Sequence, residues 1–284
     1  MKQEKLYLYF HGIGDSLIFS TILYYLGKKS GEKFLVGSPH PEIYKGNPYV
    51  RHLPVKTHRA AVLWRKILKS VGYINFYEYI NYTHEGDVPK KHIINLLCER
   101  VNLKDVPERT KIFLTDKEKK NNPLPKSLKP WLGIQSTGNK VTTKNKNWSV
   151  EKFQDVANNL KEKYSLVQFG SFDDPPLNVD LNLCGKVSIR ESFAALAQCT
   201  YFIGQVGFLM HAAASVKVPA VIIYGGFEAP WQSGYNYNIN LYNPVPCAPC
   251  WIWGDCPNSN VCMKEISSDD VLEAFSKLEL KYNR

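Results

Sequence analysis

The sequence predicts an α/β fold of two doubly wound, Rossmann-like domains facing a cleft. Three observations carry this. Short apolar runs alternate with segments of helical spacing along most of the 284 residues, a pattern that implies parallel sheets with right-handed crossovers. A charged stretch with three prolines at 116–130 (DKEKKNNPLPKSLKP) interrupts the alternation, which then restarts. The length suits about two domains of roughly 150 residues each. The expected division is 1–120, 121–266 and a closing helix at 267–284.

The elements follow in order. Residues 6–10 (LYLYF) read as a buried strand, and HGIGD then leads into a helix at 16–29 with Leu17, Ile18, Ile22, Tyr25 and Leu26 at helical spacing. Residues 34–36 are the next strand candidate. Residues 59–72 and 90–103 read as helices, and 73–82 (YINFYEYINY) between them has strand composition. Past the interruption, strands are expected at 131–135, 165–169, 181–184, 201–204 and 219–224. Helices are expected at 149–164, 188–199, 208–216 and 267–281. The one at 188 is opened by a capping box, Ser188 with Glu191.

Composition excludes several classes. Apolar residues make up 44% and charged residues 22%, which rules out wholesale disorder and collagen-like repeats. No apolar run approaches the roughly 20 residues of a membrane-spanning helix. The first ten residues hold no secretory signal, so a cytoplasmic location is expected. Net charge is +10, and 104–146 holds eleven Lys/Arg against four Asp/Glu. Such a stretch attracts phosphate on a nucleotide, a lipid headgroup or nucleic acid, or else is a solvated linker. No arginine-rich run accompanies it, so nucleic acid is not the expected partner.

Four segments carry candidate chemistry. In HGIGDS at 11–16, Gly12 and Gly14 allow a tight turn and close ligand approach. Asp15 then stands where an open α/β sheet binds ligands, placed as a general base or as an ordinary helix N-cap. In QSTGNKVTTKNKNW at 135–148, Ser136, Thr137, Gly138, Lys140, Lys144 and Lys146 offer the hydroxyls and ammonium groups a diphosphate needs, or form a polar loop. In GQVGFLMHA at 204–212 a glycine opens an apolar helix whose first N–H groups suit an anion. His211 on its first turn is a satisfied core residue or a hydrogen-bond donor to a pyrophosphate. Finally, Cys247, Cys250, Cys256 and Cys262 are spaced C-x2-C-x5-C-x5-C. Four thiolates in one loop suit a structural zinc or iron, or stay reduced thiols. Cys98, Cys184 and Cys199 sit singly in apolar surroundings and read as buried hydrophobes.

Taken as an ordered series, these residues resemble glycosyltransferase family 9, the ADP-heptose:lipopolysaccharide heptosyltransferases and their relatives. The likeness runs through the opening strand–GIGDS–helix, Asn47-Pro48-Tyr49-Val50, NKNWSVEKFQDVANNL, QFGS, LCGKVSIRESFAALAQCTYFIG, GFLMHAAASVKVPAVIIYGG and the cysteine-rich loop. It implies a GT-B fold, with the acceptor in the first half and the nucleotide sugar, ADP-heptose-like, in the second. It implies an inverting transfer to a glycan or protein acceptor, with Asp15 as catalytic base. Phosphate-binding groups would fall on Gly14, Ser136 or Thr137, Lys146, and Gly207 to His211. A last helix crossing back to the first domain, iron or zinc at the four cysteines, no catalytic divalent metal, and peripheral contact with an anionic membrane also belong to this expectation. The chain departs from the family at Gln205 and Val206, where relatives carry an acid before the glycine. The alternative is therefore a catalytically degenerate relative that binds a nucleotide sugar or glycan.

Overall fold

The computed structural model describes residues 4–79, 88–138 and 143–282. The chain divides into two compact units, 1–115 and 116–284. Lys140 and the end of the expected strand at 80–82 lie outside the described residues.

The first unit runs β1 (Glu4–Leu8), α1 (Ile13–Ser30), β2 (Phe34–Ser38), α2 (Pro41–Tyr44), β3 (Val50–Pro54), α3 (His58–Ser70), β4 (Ile74–Tyr79) and α4 (Ile93–Arg100). Its strands are parallel, in the order β3-β2-β1-β4. Leu6 and Leu8 of β1 join Leu35, Val55 and Ala61 in one buried cluster. The other side of β1 meets α1, where Tyr7 and Tyr9 pack on Phe19 at 5.7 and 4.6 Å. Leu17, Ile18, Phe19, Ile22 and Leu23 are fully buried, which holds α1. The Asn47–Val50 segment anchors it further. Asn47 Nδ2 donates to Ser20 O at 2.8 Å, and the Tyr49 ring lies where a Cβ on Gly27 would stand. The helix ends at Gly31, whose left-handed φ of 70° lets its N–H return to Gly27 O.

The second unit runs α5 (Asp116–Lys120), β5 (Trp131–Gln135), a 3₁₀ turn (Lys144–Lys146), α6 (Val150–Leu160), β6 (Ser165–Phe169), β7 (Leu181–Asn182), α7 (Ile189–Leu196) and β8 (Cys199–Gln205). It continues through α8 (Phe208–Ser215), β9 (Ala220–Gly225), α9 (Pro230–Ser233), β10 (Ile239–Tyr242), α10 (Val261–Lys264) and α11 (Ser268–Tyr282). The parallel order is β10-β9-β8-β5-β6-β7. Buried Trp148, Phe153, Tyr164, Tyr201 and Phe275 build the core on one face. There α11 packs on α6, β9 and β10. The capping box at α7 forms as read, with Ser188 and Glu191 each bonding the other's backbone.

Two expectations change. The interruption at 116–130 is not all linker. It opens with α5, whose Glu118 takes a bidentate pair from the buried Arg190 of α7 at 2.6 and 2.8 Å. A guanidinium 7% exposed needs that counter-charge, and this draws the segment onto the unit. The strands β3 and β10 also escape the sequence pattern. Both are edge strands, in VRHLP and INLY, where one neighbour suffices and apolar alternation is weak.

Candidate functional site

Each sheet has a point where the strand order reverses, and ligands of open α/β sheets bind beyond the carboxyl ends of the strands there. In the first unit this point lies between β1 and β4, in the second between β5 and β8.

Beyond β1 the chain turns through Gly12 into α1. Gly12, not Asp15, is the N-cap, and no side chain caps the helix. Asp15 is the third residue of α1, so the capping role is not the one it fills. Its carboxylate lies over the Gly12 turn, with Oδ2 3.1 Å from where a Gly12 Cβ would be. Gly14, one residue earlier, is buried in the same turn. Beneath them the buried hydroxyls of Ser16 and Tyr44 face one another without reaching hydrogen-bond geometry. Burial pushes the Tyr44 phenol far above its ordinary range; Ser16 and Ser38 temper this and the Asp15 charge adds to it. His52 sits beside Tyr44 at 5.6 Å and bonds Ser38 O through Nε2 at 2.8 Å. Burial lowers its pKa.

In the second unit, β5 delivers Ser136 and Thr137, β8 delivers Gln205 and Gly207, and β9 delivers a residue the sequence did not single out, Glu228. Ser136 is fully buried; its hydroxyl donates to Pro175 O at 2.7 Å and accepts from Gln168 Nε2 at 2.9 Å. Thr137 donates to Trp148 O. Both hydroxyls thus hold the loop together. Lys146 ends the 3₁₀ turn, and its Nζ lies 2.9 Å from Glu228 Oε2 and 4.5 Å above the Phe227 ring. Its side chain is 19% exposed and that of Glu228 8%. Burial alone would raise the Glu228 carboxyl. Lys146 and the Ser233 hydroxyl, which donates to Oε1 at 2.5 Å, outweigh it and hold the group below its ordinary value, with His211 adding to this. His211 is itself buried, with Nδ1 2.6 Å from the Tyr235 hydroxyl.

The positions where an acid was missed now have a role. Gln205, 1% exposed, accepts from Trp148 N at 3.0 Å and donates to Asn147 Oδ1 at 3.1 Å. The amide clasps the segment that carries Lys146, which a carboxylate could do on only one side. Two residues on, Gly207 has φ 154° and ψ −161° and caps α8. That backbone is close to glycine-only, and a Cβ there would meet nothing within 4 Å, so conformation rather than crowding selects the residue. Gly207 makes no side-chain cap to the first N–H groups of α8.

The cysteine loop lies against this site. Asn145 Nδ2 donates to Ile252 O and Gly254 O at 2.6 and 2.9 Å. Cys250 N and Trp251 N donate to Gly226 O and Phe227 O. The metal set expected from the sequence is not confirmed. Cys247 is exposed, Cys250 and Cys256 half-buried, Cys262 buried, and none is disulfide-bonded. Cys256 Sγ accepts from Asn260 N at 3.3 Å, while Cys262 packs against Gly226. Among the described residues no three Cys, His, Asp or Glu side chains close into a metal-binding group. The thiols share a neighbourhood, and the mechanism proposed below is argued from the chain's other side chains. Cys98, Cys184 and Cys199 are buried as read, and burial raises the Cys98 thiol to about 11 and that of Cys184 to about 12.

Comparison with known proteins fits this geometry. Lipooligosaccharide heptosyltransferase 2 of Campylobacter jejuni is 28% identical over 153 residues, 47% of this chain and 47% of the relative. The chain thus spans about half the length of the curated relatives it matches. Escherichia coli ADP-heptose LPS heptosyltransferase II is 16% identical, with a TM-score of 0.76 over 99% of this chain and 100% of the other. The iron-containing dodecameric glycosyltransferase TibC of enterotoxigenic E. coli, also solved with ADP-D-β-D-heptose, is 16% identical. Its TM-score is 0.74 over 99% of this chain and 78% of the other. These likenesses show the fold, GT-B with Rossmann-like α/β units. The sequence model of glycosyltransferase family 9 (heptosyltransferase) matches residues 58–251, more than half of the chain and the stretch that carries Lys146, Gln205, Gly207 and Glu228, and this chain therefore belongs to that family.

Proposed function

We propose that this chain is an inverting glycosyltransferase. It moves a heptose-like sugar from a nucleoside diphosphate, ADP-linked, to a hydroxyl of a surface glycan such as lipopolysaccharide core, or of a protein. The observation that carries the proposal is the convergence of Lys146, Glu228 and the uncapped start of α8 at the reversal point of the second sheet. An ammonium and free helix N–H groups at one place suit a diphosphate. Asp15, at the corresponding point of the first sheet, takes the proton from the acceptor hydroxyl. That oxygen then attacks the anomeric carbon as the bond to the β-phosphate oxygen breaks, and the configuration inverts. Lys146 and the α8 N–H groups stabilise the charge on the leaving diphosphate. The ADP-heptose-bound relative and the Campylobacter lipooligosaccharide enzyme support this choice of donor and acceptor class. The free cysteines suit a reducing, cytoplasmic setting.

The test is transfer itself. With ADP-heptose and a heptose-lacking core glycan, a new glycoside forms, and UDP- and GDP-sugars are poor donors. A second reading, binding without turnover, is favoured by Gln205 standing where the family resemblance implies an acid. Nucleotide-sugar binding with no transfer across a broad acceptor panel would establish that reading.

A further inference from the structure

Three aromatic rings cluster beside Glu228. Phe227 is fully buried, Trp251 half-buried and Trp253 54% exposed. The Trp253 ring meets Phe227 at 5.0 Å and Trp251 at 6.2 Å, both edge-on. No ring among the described residues stacks on its face. Single exposed apolar side chains are ordinary on a protein surface. This one differs in how it is held. The carbonyls on either side of it, Ile252 O and Gly254 O, both accept from the amide of one buried residue, Asn145, at 2.6 and 2.9 Å. Trp251 is tied through its backbone N–H to Phe227 O at 3.0 Å and through its indole N–H to the buried Gln232 at 3.1 Å. Its φ of 50° is left-handed, a conformation that a bulky residue keeps only where its surroundings enforce it. Buried hydrogen bonds thus fix in place an indole that stays in solvent. Such a ring is a large, rigid recognition surface with an electron-rich face.

Its position identifies what it meets. Lys146 directly follows Asn145, and its Nζ stands 4.5 Å above the Phe227 ring. The ammonium, Phe227 and Trp253 therefore succeed one another in steps of 4.5 and 5.0 Å. With the β-phosphate of a sugar donor on Lys146, the ring bonded to that phosphate is the sugar. The base stands further off, beyond a second phosphate and a ribose. Phe227 is buried, so Trp253 is the most exposed member of the cluster. A pyranose offers an apolar, slightly positive face of C–H bonds, which matches the negative face of an indole and leaves the hydroxyls at its rim. We propose that Trp253 is a carbohydrate-stacking residue whose indole face covers a pyranose ring beside Lys146. That ring belongs to the donor sugar or to the acceptor sugar that attacks it. This rests on the donor-site reading above.

The experiment uses the full chain labelled with 5-fluorotryptophan, in which Trp253→Phe identifies the Trp253 resonance among the six tryptophans. Fluorine NMR follows three probes: ADP, ADP-heptose, and the heptose-lacking core glycan added with ADP. ADP alone should leave the Trp253 resonance nearly in place. ADP-heptose should move it if the stacked ring is the donor's, and the glycan with ADP if it is the acceptor's. Trp253→Ala should weaken binding of that ligand by about three- to tenfold, and Trp253→Phe should recover most of the loss. The melting shift with ADP should stay at the wild-type value in both variants. That shift reads the donor site by itself. A normal ADP shift with a Trp253 resonance unmoved by every sugar-bearing probe would overturn the stacking proposal alone, whereas no ADP shift in the wild-type chain would overturn the donor reading and this proposal with it. A resonance moved as far by ADP as by ADP-heptose would also overturn it, because the base would then lie on the indole.

Discussion

Removing the Glu228 carboxylate tests how the donor site is held in readiness. At 2.9 Å, the Lys146–Glu228 attraction is roughly 6 kcal/mol at an effective dielectric constant near 20, before desolvation is counted. Breaking a buried pair from one side costs about 3–5 kcal/mol, because the remaining charge loses its partner. Lys146 keeps 19% of its side-chain surface in water, so Glu228→Gln should lose about 3 kcal/mol, the lower end of that range. For a unit of this size that is a melting-point drop of roughly 5–10 °C. Lys146→Met keeps a stem over Phe227 but strands a buried carboxylate, with a similar loss. The double variant should lose less than the two singles together, by at least about 2 kcal/mol. The assay is urea or thermal unfolding of all four proteins at neutral pH. The pH dependence has a definite sign. The folded-state pKa of Glu228 is lowered from 4.5, so its contribution is present above the unfolded pKa and fades as pH falls through the folded one. The gap between wild type and Glu228→Gln should narrow below about pH 4. Single variants within about 0.5 kcal/mol of wild type, or strictly additive losses, would refute a coupled pair.

Lys146→Met should also weaken ADP binding by tenfold or more, read as a smaller melting shift at fixed ADP; an undiminished shift would place the diphosphate elsewhere. Gln205→Glu should destabilise the second unit by about 2 kcal/mol, because a buried carboxylate cannot donate to Asn147, and it should not raise turnover; a gain in transfer would show that the missing acid limits the enzyme. Gly207→Ala should cost about 1–3 kcal/mol through backbone strain alone, whereas a neutral effect in unfolding would show that the φ of 154° is not required. Metal analysis of the purified protein tests the four cysteines: one tightly held zinc or iron per chain, with a melting point that falls on chelation, would show that they close on it, and well under one equivalent would show that they stay reduced thiols.

The sequence showed most of the fold because its central strands are buried on both faces. Runs such as VIIYG and FIG can hardly be anything but interior strands beside helical spacing. Edge strands β3 and β10 carry no such pressure, and α5 is recognisable only once Arg190 is known to need Glu118. The candidate site draws on positions where a loop follows a strand, a pattern the sequence carries: Asp15, Ser136, Thr137 and Gly207 all lie beyond strand carboxyl ends. Glu228 is not legible in this way, because GGFEAP has no local signature and its meaning comes from a lysine 82 positions away. Sequence alone leaves Asp15 as base or cap; the three-dimensional turn gives the cap position to Gly12. The cysteine spacing suggests a metal, but spacing does not fix where sulfurs stand, and with Cys247 exposed and Cys262 buried the four-cysteine site is unconfirmed.

Turnover of Asp15→Asn, measured beside its melting shift with ADP, tests the central claim most directly. The substitution keeps size and removes the basic oxygen. The account predicts kcat lower by about 10²- to 10⁴-fold, with the ADP shift and the unliganded melting point at wild-type values. Near-full turnover in a folded, ADP-binding Asp15→Asn protein would contradict it.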